Sequence, residues 1–312
     1  MSRPTVYILM PVYNSEEFLR KSLSSIDEQT YKNIKCIIYN DSSTDLGKDI
    51  IEEYLEQDPD SFVLINGHLH SGIAMARSEL QNYVINSSRA GDYVLSLDSD
   101  DRIKSPDFVS SFVNRMTGTG ADICLWGFDI IYGDESQKEN SFITVKEQML
   151  SKKIIDFICS KPSGSCSTEE IIDLHLFTSL GWTKGYKSEL FNALPKPKIS
   201  GDAKFDDFVY MAGLFGAKKI TALSWDMYRY EYLKRSSSAT GERKPKDLND
   251  VVDNLEMFWE HSVKNSVCRE FIKLKINDYE SLGTMLVEKG KFKKEHVLTY
   301  KTAAKRLLLK IS

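Results

Sequence analysis

Several common signatures are missing from this 312-residue chain, and each absence removes a class of protein. No stretch reaches about 18 uninterrupted apolar residues, so no spanning helix is expected. The N-terminus runs into strand-like sequence at Thr5 without a charged-then-apolar leader, so no secretory signal is expected. The five cysteines, Cys36, Cys124, Cys159, Cys166 and Cys268, are scattered, odd in number and free of C-x-x-C spacing. That pattern fits a reducing cytosol and argues against a zinc site or a disulfide framework. The histidines, His68, His70, His175, His261 and His296, show no metal-ligand spacing either. A net charge of -4 gives no reason to expect a nucleic-acid partner. What remains is ordinary for a globular chain, with 41% hydrophobic and 28% charged residues. The length suffices for one large domain or two smaller ones.

The first 130 or so residues alternate strand and helix signals. Val6 to Met10 is a short apolar run ended by Pro11. Asn14 or Ser15 is placed to cap a helix whose apolar face is Phe18, Leu19, Leu23 and Ile26. Strands are expected at Ile34 to Tyr39, Phe62 to Ile65, Tyr93 to Leu97 and Ile123 to Ile131. Helices are expected over Asp45 to Leu55 and Gly72 to Ile85, and again from Ser105-Pro106, with proline at the first helical position. Lys219 to Trp225 reads as a late strand. From Asp247 onward the pattern is helical. Strands alternating with helices imply a Rossmann-like, mostly parallel central sheet flanked by helices. In such sheets ligands bind beyond the carboxyl ends of the strands.

Four polar clusters coincide with those ends: Tyr13-Asn14, Asn40-Asp41, His68 to Gly72, and Asp98-Ser99-Asp100-Asp101. The last is the most informative. Acids a few ångströms apart disfavour joint ionisation, and a bound cation relieves the repulsion. Hard divalent cations such as Mg²⁺ or Mn²⁺ prefer oxygen ligands and often share them with phosphate. The competing reading is a polar turn in which Asp101 or Ser105 caps the next helix.

Eight segments, in order, resemble the family 2 glycosyltransferases of GT-A fold. They are Pro11-Val12-Tyr13-Asn14, Gln29-Thr30-Tyr31, Asn40-Asp41-Ser42-Ser43-Thr44-Asp45, Gly72 to Arg77, Gly91-Asp92-Tyr93 leading into Asp98 to Asp101, Trp182-Thr183-Lys184-Gly185-Tyr186, Phe205-Asp206-Asp207-Phe208, and Tyr228-Arg229-Tyr230. The resemblance implies a GT-A domain over residues 1–240, with a nucleotide-binding half to about 132 and an acceptor-side half from 133. Residues 241–312 are then a C-terminal helical extension. It also implies inverting transfer of a hexose from a UDP-sugar to a hydroxyl of a glycan or glycoconjugate. Bacterial surface polysaccharide or glycoprotein glycan synthesis in the cytoplasm, at or near the inner membrane face, is the expected setting.

Under this resemblance the Pro11-Val12-Tyr13-Asn14 turn and Asp41 hold the nucleoside, since a carboxylate can accept the imide N–H of uracil. The sequence departs from the family at Asn40 and Ser42, where an aspartate and a glycine are usual, and at His70, where asparagine is frequent. Asn40 can both donate to and accept from a base. Arg77 approaches the diphosphate or the neighbouring acids. Asp98 contacts ribose or donor sugar beside Ser99, Asp100 is the main ligand of Mn²⁺ or Mg²⁺, and Asp101 ligates directly, ligates through water, or caps the next helix. Asp207, with Asp206 beside it, is the expected base for the acceptor hydroxyl. Asp202 is a weaker alternative. Trp182, Lys184 and Tyr186 form the acceptor side, and Tyr228, Tyr230 and the Ser236 to Ser238 loop close over the donor.

Two other readings compete. A non-catalytic sugar-nucleotide-binding subunit gains from the changes at Asn40 and Ser42 but not from the retained acids. An aspartyl phosphohydrolase needs its D-x-D after the first strand, whereas here the acids follow the fourth. The terminal segment Lys301 to Lys310 mixes basic and leucine residues. It suits either contact with an anionic membrane or packing within its own domain or a homo-oligomer.

Overall fold

The computed structural model describes residues 3–132, 156, 159–167, 184–196, 213, 216–223, 229–234, 246–261, 264 and 266–312. In chain order its principal elements are β1 (Val6–Val12), α1 (Glu16–Asp27), β2 (Ile34–Asn40), α2 (Gly47–Gln57), β3 (Phe62–Asn66), α3 (Ile73–Ser87), β4 (Tyr93–Ser96), β5 (Arg102–Ile103), α4 (Phe108–Thr119), β6 (Ile123–Leu125) and β7 (Gly127–Tyr132). They continue as β8 (Ser165–Ser167), β9 (Lys184–Lys187), α5 (Ser188–Asn192), β10 (Lys219–Ala222), β11 (Arg229–Lys234), α6 (Lys246–His261), α7 (Ser266–Glu288) and α8 (Lys294–Ile311).

Every residue of β1 is buried, because it lies inside a sheet covered on both faces. Its side chains alternate between two cores. Val6, Ile8, Met10 and Val12 face one core with Leu19, Leu23, Ile51, Phe108 and Phe112. Tyr7 and Leu9 face the other with Ala76, Leu80, Val84 and Phe191. Helices α1, α2 and α4 therefore cover one face, and α3 and α5 the other.

The eight-stranded sheet has the order β3-β2-β1-β4-β9-β6-β10-β8. β1 pairs in parallel with β2 and with β4, and β2 in parallel with β3. β9 is antiparallel to both β4 and β6. A second sheet holds β5, β11 and β7. This is a mixed α/β GT-A architecture, as the sequence implies.

Two boundaries differ from expectation. The run Ile123 to Ile131 is two strands in two sheets, not one. The chain breaks at Trp126, whose ring is buried edge-on against Phe108 and Phe112 at centroid distances of 5.1 and 6.0 Å. α4 starts at Phe108 with Asp107 in the cap position, two residues beyond Ser105-Pro106. The carbonyls of Ser105 and Pro106 instead accept from Gln29 Nε2 at 2.9 Å and Thr30 N at 2.8 Å. Gln29 Oε1 in turn accepts from Val109 N at 3.0 Å, satisfying a first-turn N–H of α4. The Gln29-Thr30 pair is thus a clamp for α4.

The last three helices have a core of their own, including Leu248, Val251, Leu255, Phe258, Ile272, Ile276, Tyr300 and Leu307. Buried Tyr300 donates its hydroxyl to Ile276 O at 2.8 Å. The apolar stripe of α8 is therefore spent on α6 and α7. Lys310 pairs with Glu256 and Glu260, and Lys301 with Glu280. Among the described residues no helix is long and apolar enough to cross a membrane.

Gly185 shows how closely β9 is packed. A Cβ there would sit 2.5 Å from Leu95 Cδ2 and 2.5 Å from Phe112 Cε2. Gly185→Ala should cost about 1–3 kcal/mol by overpacking. Gly118→Ala, at an exposed position of α4 where a Cβ meets nothing within 4 Å, should stabilise by up to about 1 kcal/mol. Urea unfolding of the two variants checks the contrast.

Asp122 ties three strands together. It accepts from Lys218 N at 2.9 Å, Lys219 N at 3.1 Å and Lys187 Nζ at 3.1 Å. Burial raises its pKa, but the Lys218 N–H, the Lys187 ammonium and the Lys219 N–H outweigh it, leaving the carboxyl below its ordinary value. A depressed folded pKa contributes stability that is present above the unfolded value, about 3.9, and is lost as pH falls through the folded one. Asp122→Asn should lower stability by about 1–3 kcal/mol at neutral pH. In urea unfolding against pH, that difference should shrink below about pH 4.

Candidate functional site

Because β1 to β4 run parallel, their exits meet at one edge. The loop after β1 and the loop after β2 are knitted together there. Asn14 N donates to Ser43 Oγ at 3.1 Å, and Asn14 Oδ1 accepts from Thr44 N at 2.8 Å. Asp45 Oδ2 accepts from Glu16 N at 2.9 Å, while Glu16 Oε2 accepts from Leu46 N at 2.7 Å. The expected cap of α1 by Asn14 or Ser15 is therefore replaced. Ser15 occupies the cap position but makes no side-chain cap bond, and Asp45 supplies the oxygen from the neighbouring loop.

Two residues here hold left-handed backbone, Asn14 at φ 48° and Ser42 at φ 58°. Ser42 is one of the departures from the family pattern. Its φ explains why glycine is suited to that position. Ser42 Oγ donates to Gly67 O at 3.0 Å, which helps hold it there.

Asn40 was expected to touch the nucleotide. The structure instead commits its amide: Nδ2 donates to Asn66 Oδ1 at 3.1 Å and Oδ1 accepts from Ser43 N at 3.1 Å. It is a buried brace between strand exits.

Asp41 lies on the other face of the same turn, 2% exposed. Its carboxylate accepts from Ser71 N at 2.9 Å and Gly72 N at 2.8 Å, the entry to α3. His70 Nδ1 stands 2.8 Å from the same carboxylate. The His70 imidazole stacks on Tyr13, with ring centroids 3.8 Å apart and an interplanar angle of 17°. Tyr13 is 44% exposed, so the stacked pair faces solvent above the buried acid.

At the β4 exit, Asp98 and Asp100 are partly exposed, whereas Ser99 and Asp101 are buried. Arg77 Nη2 lies 3.3 Å from Asp98 Oδ1. Ser99 Oγ is 2.7 Å from Ser15 Oγ, tying the acid turn to the start of α1. Asp101 N donates to Asp98 O at 3.0 Å, which closes the turn. Asp101 does not cap α4, because Asp107 takes that position. Pro11 and Val12 are the buried end of β1 and shape the turn from below.

The expected acceptor side is only partly in view. Lys184 and Tyr186 lie on β9, 0% and 1% exposed, and Tyr186 packs in the core beside Phe191 at 5.7 Å. Neither ring nor ammonium is open to an acceptor, a correction imposed by antiparallel pairing in the middle of the sheet. Trp182, Asp202, Asp206, Asp207, Tyr228 and the Ser236 to Ser238 loop lie outside the described residues, as does the side chain of Tyr230.

The stacked Tyr13–His70 pair was missed in sequence as a unit. The two residues are 57 positions apart, and only the parallel pairing brings the loops together. The one available signal was His70 standing where asparagine is frequent.

Known proteins bear on this arrangement. The family model described as glycosyl transferase family 2 matches residues 7–169. Glycosyltransferase GlyA of Streptococcus pneumoniae is 29% identical over 241 residues, 77% of this chain and 32% of GlyA. Putative glycosyltransferase EpsH of Bacillus subtilis is 28% identical over 236 residues, 74% of this chain and 61% of EpsH. The chain thus spans about a third of the first relative and three-fifths of the second. Among solved structures, S. aureus TarS 1–349 in complex with UDP-GlcNAc superposes with a TM-score of 0.70 at 17% identity, over 99% of this chain and 82% of that one. GalNAc-T7 with UDP, GalNAc and Mn²⁺ gives 0.55 at 13% identity, over 82% and 48%. These likenesses carry the fold. With the family model covering more than half of its residues, the chain belongs to glycosyl transferase family 2.

Proposed function

We propose that this chain is an inverting, metal-dependent glycosyltransferase that moves a hexose from a UDP-sugar to a hydroxyl of a glycan or glycoconjugate. The observation that carries the reading is the single sheet edge where Tyr13, Asp41, Arg77, Asp98 and Asp100 gather in a chain of this family. UDP-GlcNAc in TarS and UDP in GalNAc-T7 support a UDP-sugar as donor. The minor teichoic acid biosynthesis protein GgaB of Bacillus subtilis, 33% identical over 103 residues, supports a bacterial surface glycan as the acceptor class.

The residues present fit a hard divalent cation. Asp98 and Asp100 offer partly exposed carboxylates at one turn. Mg²⁺ and Mn²⁺ are commonly held by one or two carboxylates with substrate phosphates completing the shell. When bound, the cation supplies positive charge against the departing diphosphate. Asp100 is its main ligand and Asp98 the second, while buried Asp101 closes the turn. Arg77 holds Asp98 in place and lends a second positive charge to the phosphate side.

On the nucleoside side, Tyr13 offers a ring face and Asp41 an acceptor for an imide N–H. Asp207 removes the proton of the acceptor hydroxyl as its oxygen attacks from the face opposite the leaving group. Trp182 offers an aromatic face for the acceptor sugar.

UDP release from a panel of UDP-sugars with Mn²⁺ tests the reading. Wild type should turn over and chelator should abolish it. Asp100→Ala should cut kcat/KM by at least about 100-fold. Tight UDP binding with no turnover on any acceptor would favour a binding subunit instead.

The base assignment is tested separately. Asp207→Asn should lower kcat by about 100- to 10,000-fold while UDP affinity stays within about threefold of wild type. Normal turnover in that variant would exclude Asp207 as the base.

A further inference from the structure

Three observations at the β2 exit converge on one side chain. The Asp41 carboxylate, which the proposed reading assigns to the nucleobase, is 2% exposed. Its contact with His70 Nδ1 at 2.8 Å is a side-chain contact; the other two are backbone N–H bonds that fix its orientation. The His70 ring also lies flat on Tyr13, at 3.8 Å and 17°. A planar ring with a nitrogen 2.8 Å from Asp41 and a face on Tyr13 occupies the place that the proposed reading gives a pyrimidine base. Imidazole can reproduce both contacts at once, the stack and the N–H donor.

The spacing leaves no room for both. Parallel rings stack at about 3.5–4 Å, so a base inserted between Tyr13 and His70 would need roughly twice the separation observed. His70 Nδ1 approaches the Oδ2 edge of the carboxylate, whose oxygen also accepts from Gly72 N. A base that uses this edge and this face of Tyr13 must displace the imidazole.

We propose that His70 occupies the nucleobase subsite as an internal mimic of the base until the donor enters, and then swings out. This rests on the proposed reading of Tyr13 and Asp41 as the base-binding pair. The His70 side chain is 46% exposed and belongs to the turn between β3 and α3, so its departure disturbs neither core. The consequence is a lowered apparent affinity for the whole donor, because only the fraction of molecules with the subsite vacated can bind. Backbone N–H bonds from Ser71 and Gly72 keep the acid aimed while the ring moves. His70 then sets how much nucleotide sugar is needed to load the enzyme.

Calorimetric titration of UDP with Mn²⁺ into wild type and His70→Ala tests this. His70→Ala should bind UDP roughly threefold to thirtyfold tighter. Unchanged or weaker binding in His70→Ala would overturn the proposal, because a ring that braces Asp41 or packs on the base would lose affinity when removed. NMR of the wild-type imidazoles supplies a second readout. The signal absent from His70→Ala should be shifted upfield by the Tyr13 ring without ligand, and should move to an unstacked position with UDP. A signal that stays shielded when UDP is saturating would also overturn it. If wild type binds no UDP at all, the donor assignment fails first, which separates the two outcomes.

Discussion

A sheet covered by helices on both faces can meet a ligand only at its ends. In this chain β1 is paired in parallel with β2 on one side and β4 on the other, and β2 with β3. That pairing brings four loops, otherwise separated by up to about 90 residues, to one edge. It is bought with near-complete apolarity in β1, whose seven residues are all buried and alternate between two cores. A polar residue at Ile8 or Leu9 would break the sheet that assembles the site, with no contact to any ligand.

Four loops at one edge do not by themselves make a defined surface. Here side chains act as fasteners between them. Asn14 and Ser43 join the first two loops, Asn40 and Asn66 the second and third, and Ser15 and Ser99 the first and fourth. Arg77 reaches from α3 to Asp98. Most of these polar residues are partly or wholly buried, where an unmade hydrogen bond costs more than a made one contributes. That asymmetry gives the edge one arrangement. The positive φ of Asn14 and Ser42 is strain stored within this network and held by it.

The strands and the edge were legible because period and punctuation agree: short apolar runs, each ended by polar turn residues. Asp98 and Asp100 do stand at the β4 exit, where their place after an apolar run put them. Other features needed three-dimensional context. One apolar run became β6 and β7 because Trp126 found a pocket between Phe108 and Phe112. Proline at the expected start of α4 was overridden by Gln29, whose amide satisfies that helix from a distant turn. Asn40 looked like a ligand contact and is a brace, because its side chain found Asn66 across a parallel pair. Tyr186 looked like an acceptor contact and is core, because its strand sits between β4 and β6. In each case long-range pairing decided the role of a residue whose local pattern was neutral.

The entry to α3 sets the electrostatics of the edge. A helix N-terminus with free N–H groups is a natural anion site, and in many nucleotide-binding folds it receives the phosphates. Here Gly72, in the cap position of α3 with φ 89°, and Ser71 before it both donate to Asp41. A side-chain carboxylate of the protein itself thus sits against the entry to this helix. A diphosphate arriving at this edge would meet that carboxylate, and Asp98 and Asp100 besides. Under the proposed function, compensation would come from Arg77 and from a cation held by those same acids. Under the proposed function a cation would answer the acids gathered at this edge: with Asp41 fixed by backbone N–H groups and Asp98 and Asp100 beside it, phosphates would have to be met by positive charge.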